Sequence, residues 1–306
     1  MARQGREQDE GGEGQSPRGE RHTLSQSASG AVQWVAIADI HGHLAHFEAL
    51  LEYQHARWPE ASVVTLGDYL DNGPDAPALL DRLIALKAER GEAFQAIAGN
   101  HDLACLLSIS PLKPKADPRW FSRWCSNYWR PNQISGAHAY QAHSAEALRE
   151  KMPKHHQDFL LSLPLYFLNE LGDLFIHAGM FPGPLGPQLR KLKRVERWLH
   201  SRLIPPQLRR RSLATDFDPS WEYRVISAHS KRPGERVGGT SPHFFAPQRI
   251  CLSGEVDLSG ILYALCLPAG PILQVDWSGR VQEHPLPPLI HSSTHPLSAA
   301  SGNADR

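Results

Sequence analysis

Short apolar runs and amphipathic stretches alternate along the first third of the chain. Trp34 to Ala38, Ser62 to Leu66 and Phe94 to Ala98 have the branched and aromatic content of strands. Polar residues follow each run, and then a helical pattern over Leu44 to Tyr53, over Ala76 to Lys87, and over the apolar residues after His101 in "GNHDLACLLS". Strand, loop and helix repeated three times predicts a parallel sheet of α/β class, whose ligands bind at the carboxyl ends of the strands.

Beyond Pro131 the pattern changes. "SAEALREKMPKHHQDFLLSLP" predicts one short helix to Lys151 and a second from about Pro153, a residue tolerated in a first helical turn. "PLYFLNELGDLFIHAG" predicts a hairpin turning at Leu171 to Asp173. "YRVISAH", "QRICLSG", "ILYALCLP" and "PILQVDW" are further β-prone runs punctuated by Gly and Pro. Two sheets sharing one core, with helices outside, accommodate both halves.

Residues 1–30 and 284–306 are too poor in large apolar side chains to offset the entropy of ordering, and both are expected to be disordered tails around one domain, 31–283. The chain is 41% hydrophobic, enough for a globular core. Its formal charge is zero, with 17 histidines counted neutral, so no global field selects nucleic acid, an anionic membrane or an acidic partner. The four cysteines, Cys105, Cys125, Cys251 and Cys266, form no C-x-x-C pair, which speaks against a zinc knuckle or a disulfide framework. With no apolar stretch near its start, the chain is expected to remain cytoplasmic.

Five polar islands fall just after predicted strands: "DIHG" at 39–42, "GDYLDNGP" at 67–74, "GNHD" at 99–102, "IHAG" at 176–179 and "SAHS" at 227–230. Each contains potential metal ligands. A buried carboxylate or imidazole without a partner is costly, so repeated Asp, Asn and His at strand ends implies a shared compensating charge, most simply metal ions. Turn and capping chemistry is the bland alternative, but it explains neither the order nor the spacing.

The order D-x-H-G, G-D-x-x-D-x-G, G-N-H-[ED] and two isolated His motifs resembles the calcineurin-like metallophosphoesterases, closest to their phosphoprotein phosphatase and symmetrical diadenosine-tetraphosphatase branch; the likeness covers nearly all of residues 34–277. The resemblance implies an α/β fold of four αββα layers, with a two-sheet β-sandwich core flanked by helices. It implies that Asp39 and His41 hold one metal, that Asp68 bridges two, and that Asn100, His177 and His229 complete the second. His101 would be the general acid and Asp71 its orienting partner. Oxygen and imidazole donors without thiolate suit manganese, iron or zinc, manganese being the first choice. Two such ions about 3.5 to 4 Å apart clamp both oxygens of an in-line displacement and activate water as hydroxide.

One departure bears on substrate. "GDYLDNGP" places Asn72 where phosphoprotein phosphatases carry an arginine that grips phosphate with a charged fork. Either another cation then reaches in, Arg211 and Arg224 being the candidates, or the substrate is bound differently. The stretch 190–211 holds nine Lys and Arg against one Glu; it is either a solvated helical face with a basic loop or a phosphate-binding segment. The cluster "RWFSRWCSNYWR" at 119–130 is either an aromatic cap beside the site or a stacking surface. His43 and His46 match no ligand position of the family pattern and are expected to support the site or face solvent.

The expected activity is hydrolysis of phosphomonoesters, on protein or on a small molecule, with a phosphorylated substrate as partner and neither membrane nor nucleic acid. Hydrolysis of a dinucleoside polyphosphate such as diadenosine tetraphosphate is the alternative. A non-catalytic metal- or phosphate-binding regulatory module is the alternative of another class.

Overall fold

A computed structural model of the chain describes residues 31–111, 113, 115–128, 136–197 and 204–287. Most of both expected tails, and residues 198–203 of the basic stretch, lie outside the described residues.

The first half builds three strand–helix units in order: β1 (Trp34–Ile37), α1 (Leu44–Arg57), β2 (Ser62–Thr65), α2 (Ala76–Arg90), β3 (Phe94–Ala96) and α3 (Asn100–Ile109). Four helices follow, α4 (Pro118–Tyr128), α5 (Gly136–Ala139), α6 (Ala145–Lys151) and α7 (Lys154–Ser162). The chain then runs through β4 (Tyr166–Leu168), β5 (Asp173–Ile176), α8 (Leu185–Arg197), β6 (Arg224–Ser227), β7 (Phe244–Ala246), β8 (Arg249–Cys251), β9 (Leu262–Leu267), β10 (Ile272–Val275) and β11 (Val281–His284).

Among the described residues eleven strands form two sheets, ordered β11-β10-β9-β1-β2-β3 and β4-β5-β6-β8-β7. In the first sheet β1, β2 and β3 are parallel, while β9 pairs antiparallel with β1, Val35 standing between Val63 and Cys266. In the second, β5, β6 and β8 are parallel, with β4 and β7 antiparallel at the two edges. The sheets therefore do not divide by halves of the chain, because β9 to β11 return to extend the first.

β1 shows why its run is apolar throughout. Trp34 and Ala36 point into the core between the sheets with Phe175, Ile226 and Leu265. Val35 and Ile37 point the other way, into the core beneath Phe47, Leu50, Leu79 and Leu83 of α1 and α2. A strand buried on both faces loses the usual alternation. Each of those large side chains contributes roughly 1.5 to 3 kcal/mol by leaving water.

Three local differences from the sequence reading have identifiable causes. α3 starts at Asn100 because the Asp102 carboxylate accepts from the Gly99 N–H (2.8 Å), drawing the helix start forward past His101. The hairpin turns over Asn169 to Gly172, since the Asn169 side chain accepts from the N–H groups of Leu171 (3.1 Å) and Asp173 (2.8 Å) and Asp173 already opens β5. Pro153 sits just before α7, supplying an N-cap carbonyl instead of a first-turn residue.

Among the described residues no helix is long and apolar enough to cross a membrane.

Candidate metal centre

The loops that leave β1, β2, β3, β5 and β6 at their carboxyl ends carry Asp39 and His41, Asp68 and Asp71, Asn100 and His101, His177, and His229. The turns are tight: His41, Asp68, Asp71, Asn72 and His229 all have left-handed backbone, with φ of 47°, 57°, 67°, 73° and 66°. Each such residue stores about 1 to 3 kcal/mol of strain, held by the packed sheets behind it. Gly99 permits the closest approach, because a Cβ there would lie 2.0 Å from Asp68 Oδ1.

Asp68 is the centre of the arrangement. Its Oδ1 accepts from the His101 N–H (3.0 Å) at the start of α3, where the helix dipole favours a carboxylate. Its Oδ2 faces His177 Nε2 at 3.2 Å, His41 Nε2 at 3.7 Å and His101 Nε2 at 3.8 Å. One carboxylate oxygen thus belongs to two imidazole groups, one containing His41 and His101, the other His177 and His229.

The outer nitrogens of the imidazoles decide where the lone pairs point. His177 Nδ1 donates to Leu66 O (2.7 Å), His41 Nδ1 to Leu70 O (3.0 Å) and His229 Nε2 to Arg209 O (3.2 Å). A carbonyl cannot donate, so each of these nitrogens carries a proton. In the neutral rings the inner nitrogens are therefore acceptors. Yet His177 Nε2 lies 3.0 Å from Asn100 Oδ1 and 3.1 Å from His229 Nδ1. Buried acceptors facing one another are stable only around positive charge, and imidazoles oriented by backbone carbonyls are what a metal site requires.

The protonation behaviour expresses the same demand. Burial opposes charge on His177, but Asp68 and Asp39 overcome it and raise its pKa to about 9. His229 is pushed well below the ordinary imidazole value, first by burial and then by the charge of His177. Burial works against the Asp68 charge, yet His177 and His101 hold its carboxyl well below the usual range. Asp39 is raised, chiefly by burial; its Oδ1 accepts from the His229 N–H at 3.0 Å, which ties the loop after β1 to the loop after β6.

His101 stands at the rim with Nδ1 donating to Asp71 Oδ2 at 2.6 Å. Burial lowers its affinity for a proton, but Asp68 and Asp71 more than compensate, and its pKa rises to about 9. Asp71 is itself fixed, accepting from the Trp124 indole N–H (2.7 Å) and from the Gly136 N–H.

The structure thus brings Asp39, His41, Asp68, Asp71, Asn100, His101, His177 and His229 together. Arg224 is a correction. It opens β6, at the end of the strand opposite His229, where its Nε donates to buried Asp173 (2.6 Å), so it does not reach the cluster. Arg211 lies on the site's flank, its carbonyl accepting from Ser230 Oγ (3.3 Å) and its charge lowering the His229 pKa. Asn72 is partly buried in the loop beside Asp71. His43 and His46 are buried rather than solvent-facing, packed edge-on against Trp277, and His46 Nε2 donates to Gly260 O (3.1 Å).

Four further residues support the site. Asp102 accepts from the N–H groups of Asp68 (2.9 Å), Tyr69 (3.0 Å) and Gly99, fastening the loop after β2 to α3. Trp124, from the aromatic cluster at 119–130, and Gly136 anchor Asp71 from α4 and α5. Arg249, fully buried, donates to Ala178 O (3.2 Å), Leu213 O (3.0 Å) and Ser227 Oγ (2.7 Å), so one guanidinium braces the segments next to His177 and His229. The acidic residue closing "GNHD" and the aromatic cluster holding Trp124 were the advance signals among them.

The two sheets gather acceptors from five parallel-strand ends onto one edge, a donor set that could hold divalent cations. Residues 34–236 match the calcineurin-like phosphoesterase family, and the chain belongs to it. The family consists of phosphoric ester hydrolases that depend on divalent metal ions. No curated protein matches the chain in sequence. Among solved structures it is similar to a candidate diadenosine tetraphosphatase, with 18% identity over 81% of this chain and 96% of that one and a TM-score of 0.51, which establishes likeness of fold. It also overlaps a cold-active protein-tyrosine phosphatase of a psychrophilic Shewanella species, at 16% identity, 83% and 80% coverage and TM-score 0.45. A serine/threonine phosphatase from Saccharomyces cerevisiae, with similarity to human phosphatase PP5, gives 16%, 87%, 82% and 0.45.

Proposed function

We propose that the protein is a two-metal phosphoesterase hydrolysing phosphomonoesters, with Asp39, His41 and Asp68 holding one divalent ion and Asp68, Asn100, His177 and His229 the other. The observation that carries this reading is the fixed orientation of His41, His177 and His229, whose outer nitrogens donate to backbone carbonyls while the inner ones converge on Asp68 and Asn100. Manganese fits these mixed nitrogen and oxygen donors, as iron and zinc do. Such ions supply Lewis acidity and lower the pKa of water.

The chain's own groups do the rest. Asp71 holds the His101 ring with Nε2 toward the cluster, where it delivers a proton to the leaving ester oxygen. Asn72 offers an uncharged donor to the phosphate, and Arg211 supplies the cation that the loop after β2 lacks. Four free cysteines fit a reducing, cytoplasmic setting.

A second reading, cleavage of a dinucleoside polyphosphate, is favoured by a cavity of about 560 Å³ lined by Asp117, Arg119, Trp120 and Arg123, in which the Arg123 guanidinium lies 5.4 Å from the Trp120 ring. Guanidinium and indole suit a phosphate and a base. Manganese-loaded protein assayed on p-nitrophenyl phosphate, phosphopeptides and diadenosine tetraphosphate separates the two. Preference for the monoesters, abolished by chelation and restored by manganese, is the expected result. Preference for the dinucleotide selects the second reading, and no turnover with any divalent ion rejects both in favour of a binding module.

A further inference from the structure

We propose that Asp81, His155 and His156 form a separate site for a borderline divalent cation, zinc by its chemistry, that clamps α2 to α7. Both His155 Nε2 (2.9 Å) and His156 Nε2 (2.8 Å) meet the same atom, Asp81 Oδ1. Adjacent residues on a helix point about 100° apart. Here the two rings nonetheless turn to one oxygen, with centroids 4.4 Å apart.

Burial is graded across the cluster. The His156 side chain is 2% exposed, whereas those of His155 and Asp81 are 57% and 60% exposed, which leaves one side open to water or a small ligand. Two imidazoles and one carboxylate with an open position are a donor set for first-row cations rather than for calcium or magnesium. Metal–ligand bonds of about 2.0 to 2.2 Å place tetrahedral ligand atoms roughly 3.3 to 3.6 Å apart. The present contacts must therefore open by about half an ångström, which rotation of the exposed Asp81 and His155 side chains provides.

The buried ring is already supported for the change. His156 Nδ1 lies 2.7 Å from the Tyr140 hydroxyl, which can donate or accept. In the present contact Nε2 donates to Asp81; with a cation on Nε2 the proton moves to Nδ1 and Tyr140 accepts it, the outer-shell hydrogen bond that ligating histidines require. The clamp would join the two helices next to the metal centre: α2 begins just after the loop of Asp71 and Asn72, and α7 leads to Pro164, whose carbonyl accepts from the Ala98 N–H (2.9 Å) just before Gly99.

Zinc content after equilibrium dialysis at low micromolar zinc tests this site, comparing wild type with Asp81→Asn and with His155→Gln. Both positions are exposed and neither touches the metal centre, so both variants are expected to fold, which circular dichroism checks. Wild type is expected to retain one equivalent more than either variant, and its thermal midpoint to rise further on adding zinc. Equal zinc content in all three proteins overturns the proposal.

Discussion

Asp71→Asn isolates the hydrogen-bonding partner of the proposed general acid. Two carboxylate oxygens serve three buried donors here, His101 Nδ1, Trp124 Nε1 and the Gly136 N–H. An amide has only one acceptor oxygen, so in either orientation its NH₂ group faces a donor. One buried donor left unsatisfied costs about 1 to 3 kcal/mol, which lowers the melting temperature by roughly 2 to 10 °C for a domain of this size. Loss of the charge-assisted contact to His101, about 1.5 to 3 kcal/mol, reduces turnover about ten- to a hundredfold. The sign of the pH effect follows from Asp71 being one of the charges that raise the His101 pKa. Without that charge the proton leaves at lower pH, so the alkaline limb of the pH–rate profile moves down. The assay is p-nitrophenyl phosphate hydrolysis across pH with manganese, alongside metal analysis. Metal content should stay at the wild-type level, because Asp71 faces His101 and not the acceptor cluster. An unmoved alkaline limb with unchanged turnover would refute the assignment, and so would loss of metal.

His101→Asn should lower turnover by about two to four orders of magnitude with metal content near normal, measured by steady-state kinetics and elemental analysis; collapse of metal content would make His101 a ligand. Asp68→Ala should remove both ions, and one tightly retained ion would show the bridge to be misplaced. His243 is buried, with Nδ1 accepting from the Ser253 N–H (3.0 Å), and burial pushes its pKa down to about 4 from 6.5. A depressed value means that its contribution to stability is complete above about pH 6.5 and is lost as pH falls toward 4. In urea titrations His243→Gln should therefore lose about 2 kcal/mol less than wild type between pH 7 and pH 4.5; an identical loss contradicts the assignment.

The sheets were legible where burial dominates. β1, β2 and β3 are covered on both faces, so their runs are continuous and their strand character plain in the chain. β11, with Val281 and Gln282 half-buried and Glu283 and His284 exposed, has no such run, and β7 is only Phe244 to Ala246 between polar and proline residues. Asp39, His41, Asp68, Asn100 and His101 stood out because each follows a strand in a fixed order. Arg224 misled because adjacency to a strand does not reveal which end of it faces the site. Arg249 lay in "QRICLSG" as an ordinary strand arginine; its burial arises only when β8 is enclosed by the segments of Ala178 and Leu213. The roles of Trp124 and Gly136 likewise depend on how α4 and α5 fold back over Asp71, which no local periodicity encodes.

Anomalous diffraction from manganese-loaded crystals tests the central claim most directly. Two peaks about 3.5 to 4 Å apart should flank Asp68 Oδ2, one also touching Asp39 and His41, the other Asn100, His177 and His229. A single peak, or peaks that leave Asp68 out of both coordination spheres, would contradict it.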